Sequence, residues 1–156
     1  MKDVEIARFN YEDLIYILYS NYWDLGKYKV AKPYFLVSKK SSLKNRKEKL
    51  FQKQDIHFKR IEIKNPIVLY KKIFNVYKEF LKDFDIVMVQ AYEDSIEKRE
   101  KIYFKALKEM GFEKKYFFEW SSLNEHVFIK KELKLKRKEI SRIYESLFGK
   151  YMTYEE

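Results

Sequence analysis

Apolar positions in the first part of the chain recur at two different intervals. In DVEIARFN, Val4 and Ile6 alternate with polar neighbours, the period of a half-buried strand, whereas Leu14, Ile15, Leu18 and Tyr22 fall at the intervals of one helix face. This pattern predicts a short strand and then a helix from about Asn10, whose side chain can accept a hydrogen bond from a first-turn amide, with Gly26 ending the region. PYFLVS at 33–38 predicts a strand, SSLKN a polar turn and KLFQ at 49–52 a weaker strand. In DIHFKRIEIKNP, Ile56 and Phe58 alternate in one phase and Ile61 and Ile63 in the other. One residue has entered the period near Lys59 and Arg60, as a β-bulge requires.

The most regular helical pattern follows. Asn65 and Pro66 suit the N-cap and first helical position, and Leu69, Tyr70, Ile73, Phe74, Tyr77, Phe80 and Leu81 form an apolar stripe, predicting a helix over 66–83. DIVMVQA at 85–91 is apolar without alternation, which suits a strand buried on both faces and paired in parallel with 56–63 through that helix. Asp94 and Glu97 have capping-box spacing for a helix running through Ile102, Tyr103, Ala106 and Met110. Gly111 closes it as a residue with positive φ, and Phe112 supplies the accompanying apolar contact. KYFFEW and HVFIKKE predict strands around an SSLNE turn, and Ile140, Ile143, Tyr144, Leu147 and Phe148 predict a last helix from about Leu135 to Tyr151. The fold class is α/β (α+β), with a mixed, mostly antiparallel sheet flanked by helices and an additional C-terminal helix. Residues 1–133 form the main part of one globular domain, and 134–156 a basic amphipathic helix packed on it.

Composition narrows the chemistry. The chain has no cysteine, which removes disulfides, thiolate nucleophiles and cysteine-bound metals. The start MKDVEIARFN has no apolar h-region and the longest apolar run, IVMV, is too short to cross a bilayer, so a soluble cytoplasmic protein with no membrane partner is expected. Of the net charge of +10, residues 39–60 carry nine Lys or Arg against Glu48 and Asp55, net +7, and residues 130–142 carry seven against Glu132 and Glu139, net +5. A Lys-rich composition alone explains such concentration less well, and the alternative reading of both segments is as solvated faces of a Lys-rich protein.

ALKEMGF at 106–112, followed by KKYFFEW and by FIKKEL at 128–133, resembles the GNAT-type N-acyltransferase superfamily, where a helix ending in Gly-Phe leads to an aromatic strand and a final Glu-Lys-Glu-Leu-like strand. The order of elements is similar over residues 3–133. The resemblance implies acetyl-CoA or another acyl-CoA as cofactor and an amine as acceptor. Ile63, Asn65, Ile67, Lys71, Lys72 and Gln90 then occupy candidate cofactor positions, and the start of the helix at Pro66 would face the pyrophosphate. The family's Gln/Arg-x-x-Gly-x-Gly/Ala turn is absent, for IKNPIVLYKK stands there without glycine, and Leu107 replaces the family's Tyr four residues before Gly111.

Acyl transfer to an amine needs a base, an acid for the leaving thiolate and donors for the oxyanion. Glu62 on the bulged strand is the candidate base, Tyr103 the candidate acid and His126 a group that could face the acceptor. The alternative roles are a solvated, lysine-paired carboxylate for Glu62 and core packing for Tyr103 and His126. HFK and HVF lack the His-x-Ser/Thr of two-histidine phosphoesterases, and two isolated histidines do not form a zinc site, so no metal is expected. A reading of a different class is a small basic protein of viral or plasmid type that binds nucleic acid or a protein partner without catalysis. Its contacts would be Lys44, Arg46, Lys47, Lys134, Lys136, Arg137 and Lys138.

Overall fold

The computed structural model describes residues 1–39, 66–91, 97–119 and 124–148. Their architecture is α+β, as expected: six strands in one mixed, mostly antiparallel sheet, and three helices of which the last is C-terminal. The strands are β1 Lys2–Tyr11, β2 Leu14–Asp24, β3 Lys29–Lys39, β4 Ile86–Ala91, β5 Phe112–Glu119 and β6 Asn124–Lys130, and their order across the sheet is β1-β2-β3-β4-β6-β5. The helices are α1 Pro66–Leu81, α2 Glu97–Glu109 and α3 Arg137–Phe148. The chain divides into two compact units, one of Met1–Trp23 with Lys32–Lys82, the other of Asp24–Ala31 with Asp83–Glu156.

In the first unit, β1 and β2 form an antiparallel hairpin that closes at Tyr11↔Leu14, with Glu12 at φ 54° in the turn. The helix expected from Asn10 is therefore a strand. Every residue from Leu14 to Tyr19 is buried, so the sequence there has no polar face, and Leu14, Ile15 and Leu18 match a helical interval only because both faces are apolar. Ile15 and Ile17 are stiff at χ1, and with Tyr16 and Tyr19 they fit a pleated surface better than a helical one. The strand before the turn is also longer than expected, with a register shift between Glu5 and Ala7.

PYFLVS lies within β3, and α1 starts at Pro66 as its N-terminal proline requires. Leu69, Ile73, Tyr77 and Leu81 recur every fourth residue and are buried. Burial of each aliphatic member stabilises by about 1.5–3 kcal/mol. The Tyr77 hydroxyl lies 3.0 Å from the Tyr19 carbonyl of β2 and 2.6 Å from the Tyr34 carbonyl of β3. Pro33, next to Tyr34, has no N–H for the ladder, and Tyr77 supplies a donor in that neighbourhood.

The second unit begins with a tight turn. Gly26, at φ 80°, donates its N–H to Asp24 Oδ1 at 2.9 Å. β4 pairs in parallel with the start of β3 through Val30↔Ile86 and Ala31↔Val87, and antiparallel with β6 from Ile86↔Ile129 to Ala91↔Asn124. Ile86, Val87 and Met88 are all at 0% exposure, so both faces of β4 are covered, as its unbroken apolar run requires. The expected pairing with 56–63, its bulge, the strand at 49–52, Asn65 and Asp94 lie outside the described residues. Among the described residues, the parallel neighbour of β4 is β3.

Asp85 ties three segments of this unit together. Its Oδ2 accepts the Lys29 N–H at 2.9 Å, its own N–H donates to the Lys29 carbonyl at 2.9 Å, and its carbonyl accepts the Lys130 N–H at 3.0 Å. α2 ends as predicted, with Gly111 at φ 93° and its N–H on the Lys108 carbonyl. β6 stops at Lys130, earlier than HVFIKKE suggests, because Leu133 N–H turns back to the Lys130 carbonyl at 2.9 Å and Lys131 N–H is taken by the Gly111 carbonyl. Ile140, Ser141 and Tyr144 are the buried residues of α3, and Tyr144 stacks on Phe118 of β5 at 5.8 Å.

Candidate functional site

The expected site residues are distributed between the two units. Glu62, Ile63, Asn65, Lys44, Arg46 and Lys47 lie outside the described residues. In the first unit, Ile67 and Val68 begin α1 with 68% and 56% of their surface exposed, an uncommon position for large apolar side chains. That first turn contains no acidic residue. Lys71 and Lys72, expected to act together, are both exposed, but Lys72 places its ammonium 4.7 Å from the Phe9 ring centre, a cation–π contact with β1.

The same unit holds two tyrosines whose acidity is suppressed. Burial pushes the Tyr16 hydroxyl well above the ordinary value of 10.0, with the nearby Tyr70, Glu12 and Tyr11 adding to the effect. Burial raises Tyr34 as well, and Asp3 adds to it, accepting the Tyr34 hydroxyl at 3.0 Å on either carboxylate oxygen. Both hydroxyls stay protonated at neutral pH.

In the second unit, His126 is buried at 6% exposure between Phe104 of α2, 4.7 Å away edge-on, and Phe117 of β5 at 4.6 Å. Phe104 also packs on Phe128 at 5.1 Å, so the imidazole is one member of an aromatic layer. Tyr103, on α2, is partly buried. Gln90, on β4, stands opposite Glu125 of β6 in the antiparallel register.

Glu125 was not among the expected residues, yet it is at 0% exposure, with Phe118 of β5 as its partner on the other side. A carboxylate is rarely enclosed so fully. Its signal in the sequence is phase: Glu125 shares strand parity with Val127 and Ile129, both apolar, which places it on a covered face.

The basic segment after β6 is exposed at Lys131, Lys134, Lys136, Arg137, Lys138 and Arg142. Arg137 lies over two rings of β5, its guanidinium carbon 4.6 Å from the centre of Phe118 and 5.7 Å from that of Tyr116. The Tyr116 hydroxyl donates to the Leu135 carbonyl at 3.2 Å and so fixes the ring beneath the guanidinium.

Among the described residues, no group of three or more His, Asp or Glu is placed to hold a metal ion, and no helix is long and apolar enough to cross a membrane. Comparison of the chain with protein-family models, with curated proteins and with solved structures finds no match.

Proposed function

We propose that this chain is an N-acyltransferase-like protein that binds acyl-coenzyme A and takes an amine as acceptor. The observation that carries the reading is the strand order β1-β2-β3-β4-β6-β5, with β4 parallel to β3 at Val30↔Ile86 and Ala31↔Val87, α1 between them in the chain, and β5 and β6 closing the sheet antiparallel to one another. The resemblance of ALKEMGF and the segments after it implies a helix, an aromatic strand and a final strand in that order, which α2, β5 and β6 follow, while the β1–β2 hairpin stands where a strand and a helix are expected.

The donor set at the start of α1 fits a phosphate group of such a cofactor. Amides in the first turn of a helix have no intrahelical acceptor, the turn carries no carboxylate to repel an anion, and Lys71 is exposed one turn further on. Without glycine the backbone cannot wrap closely around phosphate, so the grip is weak. The coenzyme supplies an activated acyl group. The resemblance implies a base at Glu62 and an acid at Tyr103, while His126 packs between Phe104 and Phe117.

Thermal unfolding with millimolar coenzyme A tests the proposal. A ligand at ten times its dissociation constant stabilises by about 1.4 kcal/mol, and the melting temperature of the wild type rises accordingly. Lys71→Ala loses that protection and keeps the apo midpoint. Lys72→Ala keeps the protection and lowers the apo midpoint slightly, because the contact with Phe9 is worth about 0.5–1 kcal/mol. An unchanged wild-type midpoint at millimolar coenzyme A overturns the reading.

A further inference from the structure

We infer that the second unit carries a docking surface for the phosphodiester backbone of a nucleic acid, built on Lys134, Lys136, Arg137 and Lys138. This surface is independent of the acyl-transfer reading. All four side chains are exposed and lie within five consecutive residues, and Lys131 and Arg142, also exposed, extend the strip on either side. The nearby carboxylates Glu132 and Glu139 are exposed too, and the ion pairs described in the molecule, Arg8 with Glu5 and Lys82 with Glu79, lie in the other unit.

Arg137 gives the patch its definition. Resting on Phe118 and Tyr116, its guanidinium is oriented by the sheet before any ligand arrives, so less side-chain entropy is lost when its planar fork meets phosphate oxygens. The three lysines around it act as point charges that any phosphodiester can meet. A membrane surface suits the strip less well. Interfacial segments insert exposed apolar side chains, whereas Leu135 and Ile140 here are buried and the exposed large apolar residues among those described, Met1, Leu25, Ile67 and Val68, lie elsewhere.

The test is fluorescence anisotropy of the full chain with a labelled DNA duplex and, in parallel, a labelled single-stranded RNA, from about 50 mM to about 200 mM KCl. The wild type binds at low salt, and the logarithm of its affinity falls linearly with the logarithm of salt. Combining Lys134→Gln, Lys136→Gln, Arg137→Gln and Lys138→Gln reduces that slope by about 3.6 on duplex DNA and about 2.8 on single-stranded RNA, and the larger loss of affinity identifies the preferred nucleic acid. Should loss of the ring contact unfold the protein, the three lysine substitutions alone reduce the duplex slope by about 2.7. A control with Lys78→Gln, Lys101→Gln, Lys105→Gln and Lys108→Gln removes the same charge from α1 and α2 and keeps the wild-type slope. Absence of wild-type binding at low salt, an equal loss in the control, or tighter binding to anionic phospholipid vesicles than to either nucleic acid overturns the proposal.

Discussion

Tyr77 and Tyr16 belong to the same unit and are both buried, at 6% and 1% exposure, yet their hydroxyls meet opposite surroundings. Tyr77 reaches from α1 to carbonyls on two strands, at 3.0 and 2.6 Å. Tyr16, on β2, is enclosed by Phe9 stacked at 5.6 Å, Tyr11 edge-on at 6.5 Å and Phe35 at 6.2 Å, and its hydroxyl meets no hydrogen-bond partner among the described residues. The difference shows that a buried tyrosine can serve by its oxygen or by its ring. Tyr77 shares its one proton between carbonyls on two strands, whereas Tyr16 fills an aromatic layer and carries a hydroxyl that the layer does not need.

Tyr77→Phe should have the largest effect, a loss of about 1–3 kcal/mol, since it removes the donor shared by the two strand carbonyls. Urea unfolding should show a lower midpoint with the same slope, and an unchanged midpoint would break the contrast. Gly111→Ala calibrates the scale from the other unit. A Cβ there meets nothing within 4 Å, so the cost of about 1 kcal/mol comes from the positive φ alone. Tyr16→Phe should move in the opposite direction, with a gain of up to about 1 kcal/mol, because an unsatisfied buried hydroxyl is removed and the ring is kept. A loss comparable with that of Tyr77→Phe would mean that the Tyr16 oxygen is used.

Alkaline pH gives the finest test. Tyr16, Tyr34 and Tyr19 are all raised above 10.0 in the fold, first of all by burial. The folded state therefore holds these protons more tightly than the unfolded state, so their contribution is complete below the unfolded value and declines as pH rises above it. Unfolding free energies measured between about pH 9 and about pH 11 should fall with pH, and less steeply in Tyr16→Phe than in the wild type. Equal slopes would remove Tyr16 from the account.

Legibility in the sequence followed the sharpness of the local chemistry. Pro66 fixed the start of α1 and the four-residue spacing of Leu69, Ile73 and Tyr77 fixed its buried face, while Gly111 marked a turn that only a residue tolerant of positive φ makes cheaply. IVMV revealed a strand buried on both faces. Leu14–Tyr19 misled because a segment buried on both faces has no period of its own, and the β-branched and aromatic content of IYILY was the better signal. At the candidate site, the exposure of Lys134, Lys136, Arg137 and Lys138 was readable from charge, whereas the seating of Arg137 over Phe118 required strand and helix to be brought together. Glu125 was readable in principle from its parity with Val127 and Ile129, but the charge of a glutamate argues for solvent until the covering face is known.

The discontinuous make-up of the second unit also governs the timing of its synthesis. Asp24–Ala31 emerges from the ribosome before α1, yet it belongs to the unit completed by Asp83 and later residues. Its anchor is the hydrogen bond from Lys29 N–H to Asp85, across a separation of 56 residues. The β1–β2 hairpin can form as soon as its two strands are exposed, whereas Val30 and Ala31 must wait for Ile86 and Val87, and β4 in turn waits for β6 to supply its second edge. During that interval a short apolar segment has no strand partner in its own unit, and nascent chains stalled before Asp85 are the ones most exposed to chaperones and proteases.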